Sequence, residues 1–212
     1  VKGVYEQINS DLEKAITLLN GKEQQHPSHV DYYVANGIKA RVNLVQHNFD
    51  VAATAAAEAL KKPGLSLVSV TALGGNNSVK VDDIMWGDEI ITDHSTQYSS
   101  FFSHMDADAP GMYGSKAQQC ISTGLYNMIP NTDSRKAAWW RGPLTEEGSG
   151  SMVSYCQIKF KMADYTTRTG DYILMRAEEM ILIKAEAECH LQQYDKARAT
   201  ISELGDVRDS GF

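Results

Sequence analysis

Apolar residues recur at helical spacing toward both ends of the chain and lose that spacing between them. Val4, Ile8, Leu12, Ala15, Ile16 and Leu19 fall on one face of a first helix, which Asn20-Gly21 stops. A second helix is predicted from Val30 to His47, with Val30, Tyr33, Val34, Gly37, Ile38, Leu44 and Val45 facing inward. An alanine-rich third follows from Phe49 to Leu60. In the closing stretch, Ile173, Ala177, Met180, Ile181, Ala185, Ala187 and Leu191 share a helical face. A tight turn at Gln192-Gln193-Tyr194-Asp195 leads to a last helix with Ala197, Ile201 and Leu204, ending at Gly205, a residue that accepts positive φ. Small residues along that seam (Ala177, Ala185, Ala187, Ala197) predict a closely packed hairpin.

The two ends repeat each other. HNFDVAATAAAEAL aligns with QQYDKARATISEL, so that Phe49 matches Tyr194, Asp50 matches Asp195, Ala52 matches Ala197 and Glu58 matches Glu203. The pattern predicts tetratricopeptide-like helical hairpins interrupted by a long insertion. The resulting division is residues 1–62 for the first helices, 63–169 for an irregular insertion and 170–212 for the closing hairpin.

Within the insertion, LSLVSVTALGGNNSVKVDDIMWGDEIIT predicts loop with at most short strands, and Trp86 is expected to pack inside. A short helix capped by Ser115 is expected to run to Met128, with Ala117, Ile121 and Leu125 inward. LTEEGSGSMVS is flexible by composition. SYCQIKFKM alternates, placing Cys156, Ile158, Phe160 and Met162 on one face of a half-buried strand, with Gln157, Lys159 and Lys161 on the other. Between Asp93 and Gly114 there is no period, yet Tyr98, Phe101, Phe102, His104 and Tyr113 gather there beside Ser and Asp. Rings seldom sit in an irregular loop without a packing or binding purpose. Trp139 and Trp140 are adjacent, and in extended chain they would point to opposite sides.

The chain of 212 residues, 42% apolar and 22% charged, has the make-up of an ordinary globular protein. Its net charge of −7 and lack of a basic cluster argue against nucleic acid as a partner. No apolar run reaches the roughly 20 residues of a membrane helix. The three cysteines form no CxxC pair, and Cys156 and Cys189 are read as small buried thiols. No metal or cofactor is expected. His26, His29 and Asp31 straddle Pro27 without a fourth ligand, and DADAPG lacks the ligand spacing of a calcium loop. Charged residues on buried faces imply ion pairs: Asp11 for Arg41, Glu179 for Arg176, Glu188 for Lys184.

YILMRAEEMILIKAEAECHLQQYDKARATISELGDVRDSG resembles the late helical hairpin of SusD/RagB proteins, the surface glycan-binding lipoproteins of Bacteroidetes. Arg176, Ala177, Glu178, Leu182, Ala185, Glu186, Ala187, Ala197, Val207, Arg208 and Gly211 carry the likeness. Glu203 or Leu204 where Asn is usual, and Asp209 in place of a second Arg, depart from it. The first helix and the YCQIKF segment are similar to the family too, and Asp133 with Arg135 resembles its structural DxR. The resemblance implies a mainly α fold, a SusD-like α-α superhelix. It also implies that the chain is part of a longer protein, with a lipoprotein signal and early helices before it and a helical segment after it.

Function follows from the same resemblance. The expected role is oligosaccharide binding at the outer membrane, beside a SusC-like TonB-dependent transporter, with membrane contact only through a lipid anchor absent from this chain. Tyr98, Phe101, His104, Tyr113, Trp139 and Trp140 are the expected ligand contacts, because rings can stack on the C–H faces of sugars. A helical-repeat scaffold for protein partners is the alternative. Catalysis is not expected. Asp82, Asp83, Asp88, Glu89, Asp93, Asp106 and Asp108 show no pairing, and no GxSxG, HExxH or P-loop occurs.

Overall fold

The computed structural model describes residues 2–145 and 152–212. Nine α-helices among them are α1 Lys2–Leu19, α2 Tyr32–Val45, α3 Phe49–Ala59, α4 Phe101–Met105, α5 Tyr113–Lys116, α6 Thr123–Met128, α7 Ser134–Trp139, α8 Ala177–His190 and α9 Tyr194–Arg208. β1 (Ile84–Asp88) pairs with β2 (Tyr172–Arg176) in a two-stranded sheet. The chain is mainly helical, as its periodicity predicts, and forms two compact units.

The first unit takes residues up to Leu67, Asp82–Gly87 and Leu174–Gly205. Its core joins Ala52, Ala55, Ala56 and Ala59 of α3 to Met180, Ile183 and Ala187 of α8 and Val34 and Ala40 of α2. Alanine on α3 lets the neighbouring helices come close. α8 is buried on several sides, from Ala177 and Met180 round to Ala185 and Glu188, as befits a central helix. At Gly37 the approach is closest: an added Cβ would stand 2.8 Å from Met175 Cε and 3.2 Å from Met180 Sδ. The two hairpins share one turn. His47 (φ 60) and Gln192 (φ 59) are both left-handed, and the next amide in each donates to the carbonyl five residues back, Asn48 to Asn43 and Gln193 to Glu188, both at 2.9 Å.

The expected ion pairs are partly redrawn. Arg41 meets Glu179 with Nε at 2.5 Å and Nη2 at 2.6 Å, and Nη2 also donates to the Leu174 carbonyl. Asp11 lies on the solvent side of α1, where Gln7 donates to it at 2.8 Å and Lys14 is 3.7 Å away. With Glu179 engaged by Arg41, Arg176 turns to Glu178 at 2.9 Å and Asp83 at 3.7 Å. Lys184 and Glu188 do pair, at 3.5 Å, and both bond the buried Thr200 hydroxyl of α9, at 2.8 and 2.7 Å. Asp31 caps α2 through Val34 N at 2.7 Å and pairs with Lys62, so a carboxylate once weighed as a ligand is structural. Trp86 is half-buried against the core, its Nε1 donating to Ser28 O at 3.0 Å.

Other expectations are corrected. Val4, Val30 and Val45 are exposed, and buried Asn36 and Asn43 face inward on α2 instead. Ile173 belongs to β2, since α8 starts only at Ala177, and α9 passes Gly205 to reach Arg208. Cys189 is exposed. Ala187 joins the α3 alanines, whereas Ala185 and Ala197 line an open groove between α8 and α9.

The second unit comprises Val68–Val81, Asp88–Ile173 and Asp206–Phe212. Its helices are short, so side chains satisfy the backbone. Buried Asp106 accepts from Met162 N at 2.8 Å and Asp108 N at 2.9 Å, and Asp171 accepts from Val79 N at 2.9 Å and Ile90 N at 3.0 Å. Phe102, Ala109, Met112 and Met162 form the core. Gly170 admits the Phe102 ring, whose Cε2 would be 2.7 Å from an added Cβ. Asp133 pairs with Arg135 at 2.7 Å and caps α7, and that guanidinium holds the carboxyl below its usual range.

The single helix expected from Ser115 to Met128 is two, the second capped by Ser122, and Ala117 and Leu125 are exposed. SYCQIKFKM makes isolated bridges, Cys120 with Cys156 and Trp140 with Gln157, in place of a regular strand. Gln157 is buried with Cys156, against the alternation, because its amide bonds the Met105 carbonyl. The stretch read as flexible, 144–154, lies mostly outside the described residues.

Candidate functional site

The second unit carries the six expected contact residues. Ser100 starts α4 by accepting from Ser103 N at 3.1 Å, and Ser103 Oγ ties back to Tyr98 O at 2.5 Å. In so short a helix Phe102 points inward, stacked on Tyr172 at 6.3 Å, while Phe101 and His104, three residues apart, stay exposed. Phe101 is 43% exposed and meets Phe160 edge-on at 5.1 Å. His104 stacks on Tyr113 at 4.9 Å and 16°, and Tyr113 is 53% exposed. Tyr98 is half-exposed, with the Arg168 guanidinium 5.0 Å from its ring.

Trp139 ends α7 and Trp140 follows it, and both are half-buried, so the extended, opposite-facing arrangement does not form. Lys159 Nζ lies 4.3 Å from the Trp139 ring and 5.0 Å from the Phe160 ring. A continuous run of contacts therefore leads from Phe101 through Phe160 and Lys159 to Trp139. His104 with Tyr113 forms a second aromatic pair, Tyr98 stands with Arg168, and the Trp140 backbone is paired with Gln157.

Next to Tyr113 in sequence, Ala107, Asp108, Pro110, Gly111, Ser115, Arg141 and Met152 line a cleft of roughly 600 Å³. Asp108 pairs with Arg141 and lies 3.3 Å from Lys161. Burial, then the charge of Asp106, pushes the Tyr165 hydroxyl up, which keeps it a neutral donor. A sugar ring offers polarised C–H groups to an aromatic face and hydroxyls to charged forks, and both chemistries are present here. Asp108 is engaged by cations and Asp106 by backbone amides, so neither matches the free carboxylates of a calcium loop. Among the described residues no three His, Cys, Asp or Glu side chains gather as a metal site. No described helix is long and apolar enough to cross a membrane. Sequence reading missed Phe160 and Lys159, which it assigned to a strand, and Arg141. Arg141 had the signal of following the two tryptophans directly, and Lys159 and Phe160 had none beyond the alternation.

No family model matches the chain, and no curated protein matches it. Solved structures do. A SusD-like carbohydrate binding protein from Bacteroides vulgatus is similar at 26% identity and a TM-score of 0.81, covering 98% of this chain and 43% of that one. A SusD superfamily protein from Bacteroides thetaiotaomicron aligns at 18% identity and TM-score 0.74, over 97% and 47%. Surface glycan-binding protein A from Bacteroides uniformis aligns at 16% identity and TM-score 0.68, over 98% and 50%. The chain thus spans about half the length of the structures it matches.

Proposed function

We propose, from the premise that this chain is SusD-like, that it belongs to a non-enzymatic surface protein that binds oligosaccharides. The observation that carries this reading is the 26% identity and TM-score of 0.81, over 98% of the chain, to a carbohydrate-binding relative. The proposal extends to the role the resemblance implies: delivery of the glycan to a SusC-like TonB-dependent transporter, at an outer membrane to which the longer protein is tethered by lipid. Contact is assigned to Tyr98, Phe101, His104, Tyr113, Trp139 and Trp140. Tyr113, more exposed than Tyr98 and Phe101, falls between Gly111 and Ser115 of the Asp108–Arg141 cleft and is the first platform.

A glycan array followed by calorimetry tests the reading. Saturable binding of at least one oligosaccharide class is expected. Tyr113→Ala should weaken it about tenfold, roughly 1.4 kcal/mol, with the circular dichroism spectrum unchanged. Binding of peptides with no oligosaccharide taken up would overturn the proposal in favour of a helical-repeat interaction scaffold.

A further inference from the structure

Cys120 and Cys156 face each other across an isolated antiparallel bridge. On either side, Ile121 N donates to Tyr155 O at 3.0 Å and Gln157 N donates to Gln119 O at 2.8 Å. The two cysteines therefore form the kind of opposed pair that exchanges no backbone hydrogen bond, in which Cα atoms approach to about 4.5 Å and side chains are closest. A disulfide needs Cα atoms roughly 4.4–6.8 Å apart. The opposed backbone is held from the other side as well, since Arg141 N donates to Cys156 O at 2.8 Å and Trp140 bridges to Gln157. Cys120 is exposed and Cys156 is buried, so one sulfur meets solvent and the other waits behind it. Burial pushes the Cys156 thiol up to about 11, and Cys120 adds to that rise. Cys189 lies on α8, in the other unit.

We propose that Cys120 and Cys156 are a thiol pair that closes to a disulfide by exchange with a small-molecule disulfide, Cys120 attacking and Cys156 resolving. The Cys120 thiolate attacks R′S–SR′, forming Cys120–S–S–R′ and expelling R′S⁻. The Cys156 thiolate then attacks the Cys120 sulfur, the bond to R′S breaks, and a second R′S⁻ leaves. The two protons given up by the cysteines go to the two R′S⁻ groups. Two protein thiols are oxidised to one disulfide, and one small disulfide is reduced to two thiols. Closure ties the segment carrying Gln157, Lys159 and Phe160 to the segment that follows α5. The inference rests on the bridge and on the differing exposure of its two thiols, and it stands whether or not the protein binds glycans.

Glutathione disulfide is the probe. The folded protein is incubated with it, quenched by alkylation in denaturant, digested and weighed. The expected product is a Cys120–Cys156 cross-linked peptide lighter by two hydrogens, while the exposed Cys189 is recovered alkylated or as its glutathione adduct and cross-linked to neither. Cys189→Ser should leave the yield of that peptide unchanged. In Cys120→Ser, Cys156 should be recovered as the free thiol. The closing step should speed up about tenfold per pH unit between pH 7 and 9, because the buried thiol is still largely protonated there. A lasting glutathione adduct on Cys120 with Cys156 alkylated, or a cross-link to Cys189 in comparable yield, would overturn the pair.

Discussion

The two units solve the same problem with opposite means. In the unit built on α2, α3 and α8, helices satisfy their own backbone and side chains are left to pack, so alanines and methionines fill the core. In the unit that carries the rings, α4 to α7 have at most six residues each and the backbone leans on Asp106, Asp171 and Gln157. Buried polar side chains that answer backbone amides free the surface from a helical pattern. That arrangement lets Phe101, His104 and Tyr113 stand in water on an irregular but fixed backbone.

The contrast can be broken most sharply at Asp106. Asp106→Leu leaves Met162 N and Asp108 N without their acceptor in a buried place, at an expected cost of about 3 kcal/mol. Urea unfolding followed by fluorescence in a Trp86→Phe background, which leaves Trp139 and Trp140 to report, measures it. A loss under roughly 1 kcal/mol would mean that the carboxylate is not what holds the segment. The packed unit should give way to bulk instead. Gly37→Val is expected to cost about 2 kcal/mol, less than rigid neighbours would exact, because Met175 and Met180 can shift. The smallest effect sharpens the correction to the ion pairs. Glu179→Ala should cost about 1 kcal/mol, since the Arg41 pair is partly exposed, and Asp11→Ala less than about 0.5 kcal/mol. Equal losses at both sites would restore Asp11 as the partner.

How much of this could be read from the chain differs between the units for a physical reason. Periodicity found α1, α2, α3, α8 and α9 because each turns an apolar stripe toward a neighbour, though on α1 no residue is fully buried. The internal repeat aligns His47 with Gln192, where the structure shows one shared turn. The pattern gave Asp11 to Arg41 and Glu179 to Arg176, and both pairings are overturned, because only three-dimensional placement brings Glu179 to Arg41. The alternation in SYCQIKFKM was real, but a strand needs a partner of matching length, and here the partners are short stretches around Cys120 and Trp140. Ser115 looked like a helix start, yet the cap that works is Ser122, where Leu125 N can reach the hydroxyl at 3.3 Å. The aromatic residues were legible as a group, since rings are rare in loops. Their pairing, His104 with Tyr113 and Phe101 by way of Phe160 and Lys159 to Trp139, was not, because it depends on chain crossings with no local signature.

Packing of α3 against α8 carries a consequence for synthesis. The ribosome releases α2 and α3 before the ring-bearing segment, but Met175, Met180 and Ile183, which complete their core, arrive only after that segment has emerged. Until then the alanine face of α3 is uncovered, and loop closure over so long an interval is slow. Pulse-labelled hydrogen exchange on stalled nascent chains should find the α3 amides unprotected in chains halted at Ile173 and guarded once His190 has cleared the tunnel.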